Sequence, residues 1–104
     1  MSLYYEVKIS AENQEQADTI LDSLLEKRLV TGGQFLVAPA RFLWKGKVEN
    51  IHYVTIMTYT TGKHKGAVIE DVRKTSVEDF PMMTFTLPDD INKELRDSID
   101  ETLA

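Results

Sequence analysis

Residues 3 to 9 alternate strictly: Leu3, Tyr5, Val7 and Ile9 fall on one face, and Tyr4, Glu6 and Lys8 on the other. That period of two predicts a first strand with one face on a core. From Ser10 the period lengthens, and Ala17, Ile20, Leu21, Leu24, Leu25 and Leu29 recur as a single helical stripe. Ser10 or Asn13 can cap this first helix, and Gly32 with Gly33 stops it. Residues 34–44 and 51–60 are rich in β-branched and aromatic side chains and are joined by the polar segment KGKVEN, which predicts a hairpin. Val68, Ile69 and Val72 give a narrow helical stripe within residues 63–74. PMMTFTL, residues 81–87, reads as a last strand. Pro88 and Asp89 then open a final helix in which Ile91, Leu95, Ile99 and Leu103 recur every four residues.

The order βαββαβ with a C-terminal helix specifies an α+β, ferredoxin-like sandwich. Right-handed crossovers place both central helices on one face of an antiparallel sheet ordered 4-1-3-2. Pro39 agrees with this order, because it falls in the second strand, which lies at an edge where a missing N–H is tolerated. The two hairpin strands span roughly 35 Å at 3.3 Å per residue, longer than the first and fourth strands can pair. The hairpin is therefore expected to overhang the sheet as a ribbon carrying Phe42, Leu43, Trp44, Val54, Ile56 and Met57. Apolar side chains and unpaired edges on such a ribbon predict self-association through it, with Phe42, Trp44, Val54 and Ile56 at the interface.

Composition changes the picture in four places. A chain of 104 residues is long enough for one domain, 1–104, with its own core, and it needs no cofactor to fold. A net charge of −5 repels phosphate backbones and anionic bilayers, so neither nucleic acid nor a membrane is an expected partner. No stretch has the length of a signal-peptide core or a membrane span, and cytoplasmic residence is expected. The absence of cysteine removes disulfides, thiolate nucleophiles and thiolate metal ligands together.

The segment RFLWKGKVEN, residues 41–50, is similar to the hairpin tip of CutA proteins, the divalent-ion-tolerance family. There an aromatic residue, tryptophan, a variable residue, glycine and a β-branched residue form the end of the long central hairpin. EKRLV at 26–30 resembles the end of that family's first helix, and VIEDVRK at 68–74 its second helix. EDFP at 78–81 falls where the family carries the last part of "HPYEVP". The resemblance implies a homotrimer related in architecture to PII-type signalling proteins, joined through the hairpins. It also implies ligand sites in clefts between subunits and a link to tolerance of copper and other divalent ions, with no catalytic reaction.

The departures bear on chemistry. Thr31, Gly32 and Gly33 stand where many members carry a cysteine, and Ser76 and Val77 where the "HP" would be. The remaining metal candidates are Glu78, Asp79, His52 and His64, a hard oxygen and imidazole set suited to Zn, Ni, Mn or Mg more than to Cu(I). A divalent metal ion is thus the candidate cofactor, its identity open. His52 reads equally as a surface strand residue, His64 sits in a basic patch between Lys63 and Lys65, and adjacent acids such as Glu78 and Asp79 usually form a solvated turn. Trp44, Lys45 and Lys47 are the candidates for drawing an anion or small ligand into an intersubunit cleft, although two lysines at a hairpin tip also serve solubility. Met57, Met82 and Met83 read as core.

Three functions follow as expectations: a trimeric ion- or ligand-binding homeostasis protein, a trimeric scaffold or PII-like signalling module without metal, and an enzyme on the same fold. SAENQEQ at 10–16 lacks the glycine-rich anion loop and arginine that an acylphosphatase-type hydrolase requires, so no enzyme is expected.

Overall fold

The computed structural model describes residues 3–103. Its elements follow the expected order: β1 (Tyr4–Ala11), α1 (Gln14–Glu26), β2 (Gly33–Trp44), β3 (Lys47–Thr61), α2 (Lys65–Thr75), β4 (Met83–Thr86) and α3 (Lys93–Thr102). The four strands form one sheet in the order β2-β3-β1-β4, the expected 4-1-3-2 arrangement, with antiparallel neighbours throughout.

One face of the sheet carries the core. Val7, Ile9 and Ala11 of β1 and Val54 and Ile56 of β3 pack with Ala17, Ile20, Leu21 and Leu24 of α1 and Val68 and Val72 of α2. Val54 is 2% exposed and Ile56 0%, so these two belong to the subunit's own core, which corrects their expected place at an interface. The reason is parity: the even positions of β3 point toward the helices, and the odd ones, including Tyr53 and Met57, toward the other face.

α1 begins where Asn13 Oδ1 accepts the Gln16 N–H at 2.8 Å. It ends earlier than the glycines suggested. Arg28 adopts a left-handed φ of 54°, with Leu29 N–H donating to Leu24 O at 2.9 Å and Arg28 N–H to Leu25 O at 3.0 Å. These bonds close a Schellman turn with arginine in the position usually held by glycine. Leu25 consequently lies exposed, and Leu29 packs on the core from beyond the helix. Buried threonines of β3 tie down this connection, Thr60 Oγ1 donating to Leu29 O at 2.7 Å and Thr58 Oγ1 to Gly32 O. Between the helices, the buried Asp71 carboxylate accepts from Ser23 Oγ at 2.8 Å and pairs with Lys27 Nζ.

The hairpin exceeds expectation. The connection is only Lys45 and Gly46, because KVEN joins β3 and pairs across from Arg41–Trp44. Both turn residues have positive φ, 50° at Lys45 and 78° at Gly46, as a two-residue type I′ turn requires. Gly46→Ala is expected to cost about 1 kcal/mol through left-handed strain alone, since no atom lies within 4 Å of the added Cβ. A urea melt checks this. β1 pairs with β3 only from Val54 onward, so Lys47–Tyr53 and their β2 partners form a free two-stranded ribbon about 23 Å long. The molecule is accordingly 44 Å in its longest dimension.

Three other boundaries move. α2 starts at Lys65 rather than residue 63, and β4 is limited to Met83–Thr86 rather than 81–87. α3 starts at Lys93, with Asn92 extended at its N-cap, so Pro88 to Ile91 form a lead-in rather than a first turn. Asp89, Asp90 and Asn92 favour such non-helical backbone. α3 contacts β3, and Tyr4, whose side chain lies on the face opposite the core, donates its hydroxyl to Asp100 at 2.7 Å. The helix therefore covers one end of the otherwise open face, where Ile99 and Leu103 become buried.

Candidate functional site

Beyond α3, the open face of the sheet presents a shallow groove of about 270 Å³. Ala38 and Ala40 of β2 lie low beside Tyr53 and Thr55 of β3, with Ser10, Phe42 and Met82 around them. Alternation within each strand puts these residues on one face, and register brings them together: Ala38 opposes Tyr53, and Ser10 opposes Thr55. The Phe42 and Tyr53 rings meet edge to face at 5.3 Å.

At one side of this groove the loop between α2 and β4 is fastened to β1 and β3. Ser10 N–H donates to Met82 O at 2.9 Å, and Met82 N–H returns to Ser10 Oγ at 2.8 Å. Ser10 Oγ donates to Glu78 Oε2 at 3.0 Å, and Tyr53 O–H donates to Glu78 Oε1. Both carboxylate oxygens thus already accept from protein hydroxyls. Partial burial, followed by the Glu78 hydrogen bond, pushes the Tyr53 phenol up to about 12. Tyr4 is raised as well, chiefly by its bond to Asp100.

The Tyr53 shift has a pH consequence. Between pH 10 and about 12 the unfolded phenol ionises while the folded one does not, so the unfolded state binds fewer protons and stability falls as pH rises. The Tyr53 contribution is present in full below pH 10 and is lost through about pH 12. Tyr53→Phe is expected to make the decline across this window shallower. Denaturation midpoints at a series of alkaline pH values would show it, and an unchanged slope would remove the assignment.

The residues singled out in the sequence divide into separate groups. Glu78 joins Tyr53 and Ser10 on the open face, whereas His52, one residue before Tyr53, projects to the other face opposite Pro39. Asp79 is exposed on the loop beside Glu78. His64 Nδ1 lies 2.7 Å from Thr61 Oγ1 at the start of α2. Among the described residues no three His, Asp or Glu side chains converge to hold a metal. The donor set Glu78, Asp79 and His52 therefore does not fit a metal ion within one subunit.

Trp44, Lys45 and Lys47 stand at the ribbon tip, about 20 Å along β3 from Tyr53. Trp44 is 52% exposed, with Lys45 Nζ 5.6 Å from its ring centroid. The sequence reading missed Ser10 and Tyr53 as partners of Glu78. The signal was present in their polar tips, but it needed the register of three strands to become a cluster.

Comparison with known proteins now adds to this geometry. The family model described as CutA1 divalent ion tolerance protein matches residues 6–102. The periplasmic divalent cation tolerance protein CutA from Archaeoglobus fulgidus has a similar structure, with a TM-score of 0.93 at 25% identity, covering 98% of this chain and 100% of that one. CutA1 from Ehrlichia chaffeensis gives 0.93 at 17% identity, covering 100% of this chain and 98% of its own. The divalent cation tolerance protein from Thermus thermophilus gives 0.90 at 21% identity, covering 98% and 100%. No curated protein sequence matches the chain. With nearly the whole length matched by the family model and the fold shared end to end, the chain belongs to the CutA1 divalent ion tolerance family.

Proposed function

We propose that this chain acts as a non-catalytic homotrimer of divalent-cation tolerance or homeostasis, binding an ion or small ligand in clefts between subunits. The observation that carries the assembly is the ribbon. Trp44 and Ile51 are exposed on one of its faces and Leu43 and Val48 on the other, so it is apolar on both sides and along 23 Å has no third strand. A two-stranded ribbon of this kind is marginal in water and gains stability when neighbours cover it. Trp44, Lys45 and Lys47 would then border a cleft, with the lysines attracting an anionic group. A metal would need donors from more than one subunit, for instance Asp79 of one with His52 of another.

A second reading is a trimeric scaffold or PII-like signalling module without metal. The closure of both Glu78 oxygens by Tyr53 and Ser10 favours it, because a cation would have to displace those hydrogen bonds. Native mass spectrometry of protein purified without chelator separates the two. A trimer with a stoichiometric bound mass supports the first reading, an empty trimer the second, and a monomer or dimer overturns both. We place the protein in the cytoplasm, whereas the Archaeoglobus relative is described as periplasmic. Cell fractionation distinguishes these compartments. Among the described residues no helix is long and apolar enough to cross a membrane.

A further inference from the structure

The ribbon has a second face, turned away from the groove. Beyond the core, alternation puts Pro39, Arg41 and Leu43 of β2 and Val48, Asn50 and His52 of β3 on this side. Register sets Arg41 opposite Asn50 and Pro39 opposite His52. None of the six is acidic, and Glu49, the only carboxylate of residues 39–52, lies opposite Phe42 on the groove side. A shallow depression of about 320 Å³ lies among Pro39, Arg41, Asn50 and His52.

The polar groups around this depression are oriented as donors. Arg41 Nε donates to Asn50 Oδ1 at 2.8 Å, which fixes the guanidinium plane and the sense of the amide. That bond uses one of the five guanidinium N–H groups and the amide oxygen, so the two Nη groups of Arg41 and the Nδ2 hydrogens of Asn50 are left to face a ligand. Among the described residues no carboxylate pairs with Arg41. His52, exposed two residues along β3 from Asn50, adds a ring N–H diagonally across from Arg41, at an interval of roughly 7–8 Å. The chain as a whole has a net charge of −5, so its long-range field does not draw anions in. An anion held here is held by the geometry of these donors.

We propose that Arg41, Asn50 and His52 form a binding site for a phosphate group, either free or carried by a small phosphate monoester. The two Nη groups match two phosphate oxygens in parallel, a fit that a planar guanidinium makes and an ammonium does not. The amide and imidazole N–H groups take the remaining oxygens, and Pro39 offers an apolar wall to the body of an ester. Every group comes from one chain, so the site is separate from the ribbon tip and does not depend on the proposed homotrimer.

The test is calorimetric titration with inorganic phosphate and with phenyl phosphate, at an ionic strength held constant with sodium chloride. Saturable binding of one anion per chain is expected. Arg41→Lys keeps the charge but loses the fork, and is expected to weaken binding about tenfold or more. His52→Phe should weaken it several-fold, and Lys63→Ala, a basic residue removed elsewhere on the surface, should leave it unchanged. In the wild type, the His52 ring and Asn50 side-chain amide resonances should move along the same saturation curve, a measurement that needs no variant to fold. Equal affinity for the two probes makes free phosphate the ligand, whereas tighter binding of phenyl phosphate makes it an ester lying on Pro39. Absence of saturation by either probe, or wild-type affinity in Arg41→Lys, overturns the site. Loss of binding in Lys45→Ala with Lys47→Ala but not in Arg41→Lys would move the anion to the tip and overturn it equally. A monomeric wild type that binds phosphate keeps the site while removing the homotrimer.

Discussion

Ile56→Ala is expected to lower stability by about 3–4 kcal/mol and the melting temperature by about 15–25 °C, the largest effect of any single substitution considered for this fold. Ile56 is fully buried in β3, opposite Ile9 of β1 and Phe35 of β2, beneath α1. Its Cγ2 would lie 3.4 Å from a Cβ placed on Gly33, and Leu21 approaches the same point at 2.9 Å. The packing there depends on the absence of a side chain at Gly33, and truncating Ile56 leaves a void bounded by rigid strands that cannot collapse into it. The loss is expected to be the same at every protein concentration, because the side chain packs within its own subunit. Thermal melts across a concentration series measure this. A loss below 1 kcal/mol accompanied by a change in subunit number would return Ile56 to an interface, where the sequence pattern alone had put it.

That reversal shows what the pattern could carry. The alternation of Tyr5, Val7 and Ile9, the helical stripe from Ala17 to Leu24, and Pro39 in an edge strand were sufficient for the topology, because each reports burial directly through its period. The direction in which β3 faces was harder to read. Val54 and Ile56 on one face alternate with Tyr53 and Met57 on the other, and both sets are apolar, so hydrophobicity did not select the core side. The hairpin length was hidden in the same way: the polar Lys47, Glu49 and Asn50 read as a loop, yet they are strand residues of a ribbon that has little core to face. At the end of α1, Arg28 fills a left-handed position with a residue whose type gives no sign of it.

The candidate site was legible in its members but not in their grouping. Glu78 stood out for its carboxylate, but it lies on a loop and its partners Ser10 and Tyr53 come from two different strands, β1 and β3, so only the fold brings them into one hydrogen-bonded set. His52 shows the opposite case. It lies next to Tyr53 in sequence and on the other side of the sheet in space, since adjacent strand residues point apart. A metal set drawn from sequence proximity therefore separates across the sheet, while the loop closure at Glu78 emerges from Tyr53 and Ser10, 25 and 68 positions away.

Trp44→Ala is expected to weaken self-association by about 2 kcal/mol per contact, roughly 30-fold in dissociation constant, with little change in the stability of the isolated subunit. Inside its own chain the indole is half exposed at the end of a free ribbon, with the Lys45 ammonium over the ring. Truncation consequently removes little that the subunit uses to fold. In an assembly the same ring would be a large, rigid anchor whose burial brings apolar area without much loss of conformational freedom. Trp44 is the chain's only tryptophan, so its emission reports this position alone. Diluting the wild type should shift that emission to longer wavelength in step with the fall in mass by light scattering, as the indole moves from a covered environment into water. The coincidence of the two transitions places Trp44 in the contact. An emission maximum that stays fixed while the mass falls would mean that the subunits meet elsewhere, and assembly would then have to rest on the open face around Leu36 and Phe42 instead of on the tip.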